Sequence, residues 1–271
     1  PRNWKEFNTV ARFFTRSRTP DSPVPWGTTL GGRNSSGAVC EFLPRKWAYE
    51  SNPGASSSLC PQDRHDTLLA LRNYLESFDY AVPGSAGFWW DEQVDCFAAG
   101  DAAMMIMFVA HATKLTNRRF SRVIGKIDFA PVPGNHPVLG GWSLAINRTS
   151  RNQESAFDFM RWITRSDIAV PHTILGGATP SVDLYKSSEL VGIYPWLPKA
   201  LESFALSRKR TALVMPGGRL VSEHLLEKVL GDAVHDCVTG RIGPEQALDW
   251  LDGEIAALRR AALEAEPKAG P

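Results

Sequence analysis

Phe97-Ala98-Ala99-Gly100-Asp101-Ala102-Ala103-Met104 opens the run that decides how this chain folds: a helix end feeding an apolar strand. Ile124-Gly125-Lys126-Ile127-Asp128-Phe129-Ala130-Pro131-Val132-Pro133-Gly134 follows it, a strand closed by prolines. Leu139-Gly140-Gly141-Trp142-Ser143-Leu144-Ala145-Ile146-Asn147 completes it, a strand entered through two glycines and an indole. Met104 to Val109 is short and apolar, which suits a strand buried on both faces. Ile127 and Phe129, then Trp142, Leu144 and Ile146, alternate with small or polar neighbours, the period of two of a half-buried strand.

Outward from that run the signals are mostly helical. Trp4, Phe7, Val10, Ala11 and Phe14 recur at helical spacing behind Asn3. A Pro-rich stretch from Thr19 holds a short strand near Trp26, and Gly31 to Gly37 reads as a loop. Val39 to Tyr49 reads as helical, with Pro44 against it. Ser51 to Pro61 is a loop, after which Asp63 caps a helix whose stripe is Leu68, Leu71, Leu75 and Phe78. A short helix spans Trp90 to Ala99. Ser150 and Gln153 form a capping-box pattern ahead of Ala156, Phe159, Met160 and Ile163, and a second helix follows from Asp167. Gly176 and Gly177 break the chain before Pro180.

Leu226, Leu230, Ala233 and Cys237 share one helix face, ended by Gly240. Pro244 starts a last helix with the stripe Leu248, Leu251, Ile255, Leu258 and Ala262, fraying after Glu264. Strands alternating with helices, then a helical last third, define an α/β chain.

Composition removes several functions. The chain has 271 residues, enough for one large domain or two lobes, with 43% hydrophobic and 22% charged residues. A net charge of +1 gives no overall attraction to nucleic acid or an anionic membrane. No apolar run approaches the roughly 18 residues of a membrane helix. Cys40, Cys60, Cys96 and Cys237 lack metal-ligand spacing; they read either as buried thiols or as disulfide partners, Cys40 with Cys60 being the nearer pair. No HExxH, GxSxG or phosphate-binding Gly-Lys-Ser/Thr loop is present, and Gly31-Gly32-Arg33-Asn34-Ser35-Ser36-Gly37 lacks the lysine.

The order of these pieces resembles the extracellular solute-binding proteins of ABC importers, specifically the sugar-binding family that includes the maltose-binding protein. Pro1-Arg2-Asn3-Trp4-Lys5-Glu6-Phe7 resembles a helix start from the middle of such receptors. Ser150-Arg151-Asn152-Gln153-Glu154-Ser155-Ala156 is similar to the helix after their Gly-Gly-Trp strand. Gly176-Gly177-Ala178-Thr179-Pro180 and Gly240-Arg241-Ile242-Gly243-Pro244-Glu245-Gln246-Ala247-Leu248 continue the correspondence, although the arginine many relatives carry after the proline is absent.

The resemblance implies a type II periplasmic-binding-protein-like fold of two lobes. Residues 1–139 and 181–271 would form the second lobe. Residues 140–180 would be a segment of the first, whose N-terminal part the chain lacks. It implies a monomer outside the cytoplasm that holds a sugar or oligosaccharide and presents it to ABC permease subunits, with no catalysis, cofactor, metal or nucleic acid. A carbohydrate-active enzyme, or a remnant lobe that binds nothing, are the alternatives.

A sugar offers C–H faces to flat rings and hydroxyl edges to polar groups. Trp142, with Gly141 and Gly140 freeing the backbone before it, is the stacking candidate, against a strand tryptophan packed in a core. Trp89 and Trp90 are neighbours in sequence, so only one of the two could line a cleft, against one ring buried in the core and the other exposed. Trp47 is a cleft or core residue. His111, after the apolar strand, is a hydroxyl partner or a surface histidine. Tyr194 and Trp196 read as packing residues.

Overall fold

The computed structural model describes residues 1–34, 36–51, 57–61, 63–141, 143–175 and 181–264. Asn3 begins helix α1 (Trp4–Phe14), its side-chain oxygen accepting the Glu6 amide at 2.9 Å while Trp4, Phe7 and Ala11 turn inward. Strand β1 (Trp26–Thr29) leads through Gly31 and Gly32 into α2 (Ser36–Tyr49), in which every residue from Gly37 to Trp47 is buried. Asp63 caps α3 (Arg64–Phe78) through the Asp66 amide, as its sequence predicts. Helix α4 (Trp90–Ala99) ends on left-handed Gly100 and feeds β2 (Ala102–Met105).

Short α5 (Ala112–Thr116) follows, then α6 (Gln153–Ile163) and α7 (Ser166–Ile174). Next come α8 (Val182–Lys186), α9 (Ser188–Ile193) and α10 (Trp196–Leu206). Strands β3 (Leu213–Val214) and β4 (Leu220–Val221) form a small antiparallel pair. Helices α11 (Glu223–Val238) and α12 (Pro244–Glu264) close the chain, with left-handed Gly240 between them.

A parallel ladder joins β1 to β2, Trp26 facing Ala102 and Thr29 facing Met105. Around it, among the described residues, lie three apolar cores. The largest joins α2, α3, α11 and α12 through Phe42, Trp47, Tyr74, Leu230 and Leu251. A second, under α4 and β2, holds Val94, Phe97, Leu115 and Val123. Ala112, Tyr185, Trp196 and Leu197 form the third, so Trp196 packs as expected.

Several local expectations fail for physical reasons. Helix α2 starts at Ser36 and absorbs Gly37, because Ala38 donates to the Arg33 carbonyl and the missing Cβ of Gly37 admits the Trp89 ring. The apolar strand stops at Met105, and Met104 to Val109 are only half-buried. Ile124 to Pro133 and Leu139 to Asn147 form no ladder among the described residues. Pro131, Pro133 and Pro137 supply no amide, and only Val138 bridges to Arg208.

The capping box at Ser150 does not close. Ser150 accepts the Asn152 amide, and the Gln153 amide group turns back to the Arg148 carbonyl. Among the described residues no disulfide is formed, so Cys40 and Cys60 are not bridged. The expected break at Gly176 and Gly177 lies outside the described residues, as does everything beyond Glu264.

Candidate functional site

Two parallel strands end on the same side, and in α/β folds that side is where ligands collect. The carboxyl ends of β1 and β2 are tied together by Gln93, whose side chain reaches back from α4. Its amide nitrogen faces the Thr29 carbonyl at 3.3 Å, the Ile106 carbonyl at 3.4 Å and Glu41 Oε1 at 2.5 Å. Gln93 is 1% exposed and Glu41 3%.

Behind Glu41 lies Arg45, fully buried, its guanidinium 3.6 Å from the carboxylate and 4.0 Å from the Trp4 ring centre, with Tyr74 on another side. Burial pushes the Glu41 carboxyl above its ordinary range, and the Arg45 charge and the Gln93 hydrogen bond offset this only in part. Desolvation in turn lowers Arg45, opposed first by Glu41. This polar group locks the strand ends in place from inside.

On the outer side stand three half-buried rings. Trp89 and Trp90 lie 4.4 Å apart, centre to centre, tilted by 41°, and Phe108 meets Trp90 edge-on at 4.8 Å. Helix start and strand end thus converge. Trp89 precedes α4, its amide held by the Glu92 carboxylate at 2.8 Å, and Phe108 lies three residues beyond β2. Trp90, Phe108, Glu41 and Val138 line a recess of about 50 Å³. A larger apolar groove of about 300 Å³ runs beside it between Met104–Val109, Ile127–Pro133 and α10, with Lys199 and Ser203 at its edge.

Gly140 passes over the Phe108 ring so closely that a Cβ there would sit 2.8 Å from a ring carbon. His111 is half-buried nearby. Burial lowers its imidazole below the ordinary range, the Asp91 carboxylate partly offsetting this and Lys114 adding to it.

Of the residues singled out in the sequence, Trp89, Trp90 and His111 fall in this region. Of the tryptophan pair, Trp90 lines the recess, while the Trp89 ring leans against it at 4.4 Å. Trp47 is a core residue: it is 1% exposed, its indole N–H is used on the Ser58 carbonyl, and Arg208 covers its ring at 5.0 Å. So enclosed, it has no face left for a solute. Gly141 is exposed, with open space where a side chain would go. Trp142 lies outside the described residues.

Glu41 and Gln93 were missed. Their signals were a lone acid inside the apolar run Val39-Cys40-Glu41-Phe42-Leu43, and an amide one helical turn beyond Trp89. Among the described residues no group of acidic, histidine or cysteine side chains could hold a metal ion, and no helix is long and apolar enough to cross a membrane.

Rings and buried polar groups thus meet at the ends of two parallel strands. Residues 61–170 match the family model described as bacterial extracellular solute-binding protein. A probable ABC transporter-binding protein of Deinococcus radiodurans is 25% identical over 96% of this chain and 62% of its own length. A probable amino-acid ABC transporter periplasmic-binding protein of Sinorhizobium fredii is 27% identical over 66% of this chain and 40% of its own.

Among solved structures, the maltose-bound MalE3 of T. maritima superposes with a TM-score of 0.79 at 21% identity, covering 95% of this chain and 66% of that one. A ribitol complex of a solute-binding protein from Agrobacterium radiobacter gives 0.77 at 21%, over 96% and 65%. Residues 61–170 are thus similar to the bacterial extracellular solute-binding proteins, and the chain has the type II periplasmic-binding-protein fold. It spans 62% and 40% of the lengths of these two curated relatives.

Proposed function

We propose that the protein is the solute-binding component of an ABC importer and holds a carbohydrate or polyol noncovalently in an interlobe cleft. The ring cluster of Trp89, Trp90 and Phe108 at the carboxyl ends of β1 and β2 carries this reading. A flat indole offers the C–H face of a sugar a surface that water cannot match, while hydroxyls find polar groups at its edge. Gln93 and Glu41 hold the wall rigid, so little ordering entropy is lost when the solute docks. His111 and Asp91 supply hydrogen-bonding groups beside the rings. No bond is made or broken; affinity and release follow from closing and opening two lobes. Relatives whose solved structures contain maltose and ribitol support this solute class.

In the same reading, residues 1–139 and 181–271 form one lobe and 140–180 contribute to the other. The inner packing favours that division: α8, α9 and α10 share a core with Ala112, while α6 buries none of its residues. Trp142 would then stand where the chain passes between lobes. The protein would act outside the cytoplasm, as a monomer, and hand its solute to permease subunits.

Titrating the protein with ribitol, D-mannitol, D-tagatose and maltose while following tryptophan fluorescence tests the reading. A saturable change with at least one of them, lost in Trp90→Ala, is expected. Silence with all four, together with a saturable response to amino acids, would contradict the carbohydrate assignment.

A further inference from the structure

The chain's small net charge conceals a local excess. From Ala102 to Ile127 there is no Asp or Glu, while Lys114, Arg118, Arg119, Arg122 and Lys126 place five cations in one stretch. Lys114 is engaged by Asp95. Among the described residues the other four form no ion pair, and all four are exposed. They sit on the loop from Asn117 to Lys126, which follows α5.

That loop is held firmly from beneath. Phe120 and Ser121 donate their amides to the Asn117 carbonyl at 3.0 Å, Arg122 donates to Ala98 at 2.8 Å, and Lys126 donates to Val123 at 2.9 Å. Val123 is buried in the core under α4. The cations are therefore presented on a fixed frame.

Between the cations stand two apolar side chains that the fold leaves outside. Phe120 is 54% exposed and Ile124 36%. Arg119 lies 5.8 Å from the Phe120 ring, which leaves most of the ring free. Neither residue contributes to the ring cluster at the strand ends.

We propose that the Asn117–Lys126 loop is a docking surface for an anionic lipid bilayer. Cations alone would suit any polyanion; the apolar pair selects among them. Phe120 and Ile124 can enter the boundary between headgroups and acyl chains while four cations lie on phosphates around them, the combination that peripheral membrane attachment requires. A nucleic acid would use Phe120 for stacking and gain nothing from Ile124. Attachment of this kind is weak, reversible and salt-dependent, since attraction between exposed charges fades beyond about 10 Å at 0.1 M salt. It would hold the protein near a membrane whatever solute it carries.

Co-sedimentation with vesicles tests this, comparing phosphatidylcholine alone with phosphatidylcholine containing phosphatidylglycerol. At low salt the expected partitioning onto the anionic vesicles exceeds that onto neutral ones by about tenfold or more, and it vanishes at high salt. Combined Arg118→Ala, Arg119→Ala, Arg122→Ala and Lys126→Ala should abolish the difference, and Phe120→Ser should weaken it. A matched variant removing Lys5, Arg18, Arg161 and Arg260 should leave it in place. Circular dichroism confirms that each variant is folded. Equal pelleting with both vesicle types, equal loss in the matched variant, or tighter binding to a single-stranded oligonucleotide than to the anionic vesicles would overturn the proposal.

Discussion

Helices α2 and α6 both read as helical in sequence, yet the fold treats them oppositely. From Gly37 to Trp47, α2 is buried on every side, even at Glu41, Arg45 and Lys46. Helix α6 buries nothing, and Phe157, Phe159 and Trp162 face outward, as do Leu144 before it and Leu175 after it, the last 86% exposed. The first is the hub of the molecule: α3, α11 and the ring cluster all lean on it. The second carries an apolar surface that these residues of the chain do not cover. Apolar patterning shows which face wants burial, and packing partners decide whether it is buried.

That contrast breaks or stands on mutations. Arg45→Ala leaves the Glu41 charge buried beside an empty space between Trp4 and Tyr74, and is expected to cost about 3–5 kcal/mol in urea unfolding. Trp47→Ala should cost a similar ~3–5 kcal/mol through the cavity it leaves. Asp63→Ala, which removes only the cap of α3, is expected to cost about 1 kcal/mol by the same measurement. Phe159→Ser on α6 should change stability by less than ~0.5 kcal/mol while lowering the binding of a hydrophobic dye. Were Phe159→Ser as damaging as Trp47→Ala, the two helices would not differ as described.

Alkaline pH probes the same hub. Burial pushes the Cys40 thiol up to about 12 and the Cys237 thiol up to about 11, from an ordinary 9.0. Above pH 9 the unfolded chain releases these protons while the folded chain keeps them. Unfolding therefore becomes easier between pH 9 and the raised values, and stability from these thiols is fully present only below that window. Unfolding midpoints from pH 8 to 11 should decline, and Cys40→Ala should flatten the decline.

Much of this fold was legible because local chemistry agrees with it. Asn3, Asp63, Gly240 and Pro244 mark helix ends by their own side chains or backbone freedom, and the structure places the ends there. The strands were read less well. Period-two alternation at Ile127–Phe129 and at Leu144–Ile146 shows a chain that could pair, but a ladder needs a neighbour, and sequence does not name one.

In the site, Trp89 and Trp90 were visible as rings, whereas the contact of Trp90 with Phe108 joins residues distant in sequence. Trp47 was left open between cleft and core because the two kinds of indole look alike in a helix pattern, and burial places it in the core. Glu41 and Gln93 act through burial, which pattern alone assigns to apolar residues.

The central claim is that the ring cluster at the strand ends forms a wall against which a sugar or polyol rests. Calorimetric titration of the protein and of Trp90→Ala with the best-responding solute tests it most directly. One lost ring contact is expected to weaken affinity by about tenfold, with the melting temperature little changed. Equal affinity in the two proteins would contradict the account.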